Sequence, residues 1–97
     1  MPRLTLLTRA YCGLCDAMHA AVAAIADTHG AALEIVDVDA DAALEGAWGD
    51  LVPVLFLGAP DAAHELCHYR LDVARVQAAL ASERAPGSAV AAGPEIR

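Results

Sequence analysis

The sequence predicts a single mixed α/β domain with a four-stranded sheet, its elements in the order β-α-β-α-β-β-α. Three observations carry that expectation. A strand-length apolar run at residues 3–8 is followed by a helix-spaced stripe and then by a β-branched run at residues 32–38. Two further short runs, residues 52–57 and 64–69, flank the turn Gly58-Ala59-Pro60-Asp61. A last helix-spaced stripe follows Asp72.

Taken in order, residues 3–8 read as a strand with Leu4 and Leu6 on one face. From Leu14 to His29 the apolar positions Leu14, Met18, Val22 and Ile25 recur at steps of four, four and three, one stripe of a helix. The alanines between them favour helix, and Gly30 stands where a helix is expected to stop. The β-branched content of residues 32–38 marks a second strand. It is joined to the first by a helix and therefore expected to run parallel to it. A turn at Asp39–Asp41 opens a short helix to about Trp48. Residues 52–57 and 64–69 then pair as a hairpin. Asp72 caps a last helix whose stripe is Val73, Val76 and Leu80. Residues 1–82 are thus expected to form the domain. Residues 83–97, rich in Ala, Pro and Gly and without periodicity, read as a mobile tail.

With 97 residues, this is one domain with a modest core, burying about two-thirds of its unfolded surface. A hydrophobic content of 58% excludes a disordered chain. No apolar stretch approaches the roughly 20 residues of a membrane span. The net charge is −7, and the six basic residues, all arginine, form no stripe. Neither nucleic acid nor an anionic membrane is therefore an expected partner. Residues 1–10 lack the apolar core and cleavage site of a signal peptide, which points to a reducing cytoplasmic compartment where structural disulfides are unexpected.

Three cysteines then need another reason, and two stand as Cys12-Gly13-Leu14-Cys15. Out of context, a C-x-x-C is a redox pair more often than a metal site, and now and then it is incidental. Between a first strand and a first helix of a βαβ pattern, redox is favoured. Cys12 falls at the helix N-terminus, where unpaired N–H groups and the helix dipole favour a thiolate. Cys15, one turn on, can reach a mixed disulfide on Cys12 and release its partner. Cys12 is accordingly assigned attack and Cys15 resolution. Arg9 is the nearest cation in sequence and a candidate for tuning the thiolate.

The segment Leu4 to Met18, with Tyr11-Cys12-Gly13-Leu14-Cys15-Asp16, resembles the active-site segment of glutaredoxin-like proteins. Val52-Pro53 before a strand resembles the cis-proline site of the thioredoxin-like fold, and Val36-Asp37-Val38-Asp39 resembles a stretch found in short bacterial glutaredoxin-like domains. The likeness runs over residues 3–81. It implies a thioredoxin-like (glutaredoxin-like) fold and a cis peptide at Val52-Pro53, where the backbone of Val52 would pair with a bound substrate chain. It further implies a Cys12–Cys15 dithiol reducing disulfides in proteins or small molecules, with Tyr11 flanking the site. The electron donor would be a reductase or glutathione, and the chain would act as a monomer without a bound cofactor or metal. Two departures argue against a glutathione site: Leu51 stands where glutathione users carry Thr, and Tyr69-Arg70-Leu71-Asp72 replaces their Gly-Gly turn.

Cys67 and His68 leave a metal reading open, with zinc or a shared iron–sulfur cluster held by Cys12, Cys15 and Cys67 with a histidine. A third reading is a thioredoxin-fold interaction module with idle thiols. Cys67 is more simply a half-buried core cysteine. His19 and His64 read as exposed, Trp48 as a packing residue, and Asp37, Asp39 and Asp41 as a solvated strand end and turn.

Overall fold

A computed structural model describes residues 2–84. Strand β1 (Arg3–Thr8) leads through a four-residue connection into α1 (Gly13–His29) and on to β2 (Ala32–Asp37). Then come α2 (Ala42–Trp48), β3 (Val54–Leu57), β4 (Glu65–His68) and α3 (Val73–Arg84). The sheet order is β2-β1-β3-β4: β1 and β2 are parallel, and β3 is antiparallel to both β1 and β4. This is the expected mixed α/β fold in the expected order.

Every strand boundary that shifts from its sequence expectation has a local cause. Val38 leaves β2 because the Asp37 carboxylate accepts the Asp39 N–H at 2.9 Å, which coils residues Val38–Ala40 into a 3₁₀ turn. β3 begins at Val54 rather than residue 52, after a proline that has no N–H to give a ladder. His64 is drawn into a 3₁₀ turn capped by Asp61, whose carboxylate accepts the Ala63 N–H at 2.8 Å. Helix α3 continues through Arg84, two residues past the expected domain end. The rest of the tail assigned to residues 83–97 lies outside the described residues.

Both sheet faces are covered. On one, Leu4, Leu6 and Leu55 pack against Met18, Val22 and Ala26 of α1 and Val76 and Leu80 of α3. On the other, Leu7, Val54 and Phe56 pack with Val38 and with Leu44 and Trp48 of α2. The Trp48 ring meets Phe56 edge-on at 5.0 Å, the packing role expected of it. Helix α1 ends in a left-handed Gly30 (φ 66°), with the Ala31 N–H on the Ala26 carbonyl at 2.8 Å.

Two residues assigned to the buried stripes are exposed: Leu14 (56%) and Val73 (44%). A step of four overshoots a full helical turn by about 40°. Met18, Val22 and Ala26 already use two such steps, so Cys15 rather than Leu14 completes the inward face. Val73 lies beside the Val76–Leu80 stripe because it is three residues before Val76, and a step of three falls about 60° short of a full turn.

Candidate active site

β1 ends at Thr8, and α1 begins at Gly13 above that end of the sheet. Cys12 is the α1 N-cap, with extended backbone (φ −115°, ψ 101°). Its Sγ accepts the Cys15 N–H at 3.1 Å, and its carbonyl accepts the Asp16 N–H at 3.1 Å. A cap normally offers an oxygen to these orphan donors. Here a sulfur takes that place, at the positive end of a 17-residue helix. Cys12 and Cys15 are joined by a disulfide, with Cα atoms 5.2 Å apart. Cys12 is half-buried, whereas Cys15 is 1% exposed and lies under the first turn.

The Val52-Pro53 peptide is cis. Pairing of Leu7 with Val54, and of Val54 with His68, puts Pro53 at the sheet end where β1 finishes and the connection to Cys12 starts. Pro53 is buried, and Val52 packs half-buried against the second core cluster. Tyr11 stands next to Cys12 in a left-handed backbone conformation (φ 59°), its side chain fully exposed rather than folded over the sulfur. Beside the cysteines, a small cleft of about 190 Å³ runs between Leu14, Ala17 and Ala21 on α1 and residues Tyr69, Arg70 and Leu71.

Arg9 is no free cation beside the thiols. Its guanidinium grips Asp39 through two nitrogens (2.7 and 3.2 Å), donates to the Gly49 carbonyl at 3.0 Å, and lies 3.5 Å from Glu45. The charge that sequence proximity offered to Cys12 is thus matched by two carboxylates. Gly49 is part of the same knot, because a Cβ there would sit 2.6 Å from the Glu45 carbonyl and carboxylate oxygens. The other two aspartates of this stretch serve as caps, Asp37 as described and Asp41 on the Ala43 and Leu44 N–H groups of α2.

The Arg9 hydrogen bond holds the Asp39 carboxyl below the usual carboxylate range, and the Arg9 value is raised in turn by Asp39. A depressed carboxyl contributes stability above its unfolded value of about 4 and loses it as pH falls through the lower folded value. Arg9→Ala is therefore expected to lower the melting temperature at pH 7. The gap to the unaltered chain should narrow in acid below pH about 4, to what the Gly49 hydrogen bond contributes, and shrink in high salt. Thermal melts across pH 2.5–7 check this; a gap that widens in acid would contradict it.

Cys67 lies on β4 opposite Leu55, half-buried against the first core cluster. Burial pushes its thiol up, the reverse of what a nucleophile needs. His68 pairs with Glu65 at 2.5 Å, and the His64 ring meets the Ala59 carbonyl. His19 is exposed on α1. Among the described residues no three His, Cys, Asp or Glu side chains converge on one point, so the donor set imagined from Cys12, Cys15, Cys67 and a histidine does not assemble within one chain.

Tyr69 is a site residue that the sequence marks only by the absence of glycine at its position. It adopts φ 63°, which glycine takes freely and tyrosine does not. A non-glycine residue where relatives are expected to carry glycine was the available signal.

A family model described as a glutaredoxin-like domain (DUF836) matches residues 3–81. The chain belongs to that family. Two solved structures bear out the membership. Protein Ne2328 from Nitrosomonas europaea is 32% identical with a TM-score of 0.68, covering 80% of this chain and 89% of that one. Protein XcR50 from X. campestris is 42% identical with a TM-score of 0.56, covering 80% of this chain and 95% of that one. Trichomonas vaginalis thioredoxin, 21% identical with a TM-score of 0.62 over 86% of this chain and 79% of that one, shares the fold. No curated protein matches the chain. This glutaredoxin-like chain is therefore a thioredoxin-fold domain with a C-x-x-C pair at the head of α1. No helix among its described residues is long and apolar enough to cross a membrane.

Proposed function

We propose that the chain is a dithiol thiol–disulfide oxidoreductase of cytoplasmic redox homeostasis, reducing disulfides in proteins or small molecules. The observation that carries the reading is the asymmetry of the pair. Cys12 is accessible and capped on the Cys15 N–H, while Cys15 is buried one turn behind it. In the reduced state the same N–H and the α1 dipole stabilise a Cys12 thiolate.

That thiolate attacks one sulfur of a substrate disulfide. A Cys12–substrate disulfide forms, and the other substrate sulfur leaves as a thiolate that takes up a proton. Cys15, deprotonated, attacks Cys12 Sγ, releasing the second substrate thiol and leaving the Cys12–Cys15 disulfide seen here. Two electrons pass to the substrate, and an external dithiol reductase or two glutathione molecules return them. The backbone of Val52 pairs with the substrate chain, and Tyr11 lies against its flank. The protein works as a monomer and needs no resident cofactor or metal. Where glutathione is the donor it acts without a dedicated pocket, since Tyr69 and Arg70 occupy the turn where a tripeptide would need glycine.

The test is the pH dependence of Cys12 alkylation in reduced protein, together with turnover of Cys12→Ser. The midpoint is expected well below the ordinary thiol value of about 8.5. Insulin reduction should vanish in Cys12→Ser. An ordinary midpoint, or full activity in that variant, would overturn the assignment.

A further inference from the structure

Tyr69 makes two hydrogen bonds, and a third spans it. Its N–H donates to the Pro53 carbonyl at 2.9 Å, which extends the β3–β4 ladder one residue beyond Val54–His68. Its hydroxyl reaches back to the Asp50 carbonyl at 2.7 Å. The His68 carbonyl accepts the Arg70 N–H at 2.7 Å, closing a three-residue γ-turn centred on Tyr69 with φ 63°. That turn is the rarer, strained kind, and a tyrosine holds it only where the surroundings over-determine it. The ring also packs edge-on against His68 at 4.9 Å. One residue therefore grips both ends of the segment 50–53, while Arg9 holds the preceding carbonyl, that of Gly49.

We infer that Tyr69 is a positioning residue for substrate chains: by tying Asp50 and Pro53 to the end of β4, it fixes the Val52 backbone in the orientation that pairs with a polypeptide flanking the target disulfide. The inference rests on the redox reading proposed above. It deepens that reading by naming polypeptide disulfides, rather than bare small disulfides, as the substrates the site is built for. The alternative role, support of the fold in general, would act on every substrate alike.

Tyr69→Phe removes one hydroxyl and leaves the ring, the γ-turn and the N–H in place. KM for insulin is expected to rise about five-fold, the size of one neutral hydrogen bond, with kcat little changed. Turnover of 2-hydroxyethyl disulfide, which has no peptide backbone to pair, and the pH profile of Cys12 alkylation should stay as they were. An unchanged KM for insulin, or an equal loss on both substrates, would overturn the inference. Should the unaltered chain show no Cys12-dependent turnover, the redox reading falls on its own evidence. Hydrogen exchange at the amides of residues 50–52 and 54 then decides the clamp: faster exchange in Tyr69→Phe supports it, and unchanged exchange overturns it.

Discussion

Cys15→Ser is expected to turn a catalyst into a trap. Cys12 remains at the N-cap and still forms a mixed disulfide with substrate. The buried thiol that would resolve it is gone. Resolution in the unaltered chain is intramolecular. The two Cα atoms are 5.2 Å apart, and the Cys15 N–H already contacts Cys12 Sγ, so the reacting sulfurs meet without a search. An external thiol at millimolar concentration competes poorly with effective molarities that reach about 10⁵ M or more in well-oriented systems. Dithiol turnover should therefore fall at least about 100-fold, the loss held down by resolution from donor thiol in solution. On non-reducing gels the substrate should accumulate as an adduct that dithiothreitol removes. The double variant Cys12→Ser/Cys15→Ser should form none. The serine itself fits: it is smaller than cysteine, and within a helix its hydroxyl can return a hydrogen bond to the carbonyl four residues back. Turnover close to that of the unaltered chain would show that Cys12 works alone, with an external thiol completing each cycle.

The pair on which that prediction rests was legible in the sequence, because it depends on two short-range facts. A strand must end before a helix can begin, and a thiol three residues ahead of another at a helix start is one turn from it. The β-α-β-α-β-β-α order was legible for the same reason: each element carries its own period and its own start or stop signal, as Asp72 and Gly30 show. Long-range partners were not. Arg9 is three residues from Cys12 in sequence, yet its guanidinium is held by Asp39, Glu45 and the Gly49 carbonyl, 30 to 40 residues on. Only the parallel register of β1 and β2, which sets Thr8 against Asp37, brings Asp39 into reach. Tyr69 was hidden differently. Its importance lies in a positive φ and in two carbonyls that belong to residues 50 and 53, and neither leaves a mark in composition or spacing. Leu14 shows the limit of periodicity alone, since steps of three and four satisfy the same stripe until the helix is wound.

The largest expected effect on stability is at Phe56. β3 is an interior strand, paired with β1 on one side and β4 on the other. Its Phe56 side chain is 0% exposed, enclosed by Leu7, Val38 and Val54 and by the Trp48 ring. Truncation to alanine removes the ring and leaves a void that two sheet-bound neighbours cannot collapse into, because their backbones are fixed in the ladder. Losses of about 3–5 kcal/mol are usual for such a change. A domain of this size has only about 5–15 kcal/mol in total. At roughly 4–8 °C per kcal/mol the melting temperature should fall by roughly 12–40 °C. Trp48 is the sole tryptophan and touches Phe56 directly, so its emission reports on this cluster alone. In Phe56→Ala the emission should shift towards that of a more solvated indole even below the melting transition. The effect should also reach the active end of the sheet, since Val54 belongs to the same cluster and follows Pro53 directly. Loosening it gives the segment 50–53 more freedom, so KM for insulin should rise in the folded variant while Cys12 alkylation keeps its pH profile. A melting temperature within a few degrees of the unaltered chain would show that α2 and the Trp48 ring close over the gap, and that this face of the sheet is covered but not tightly packed.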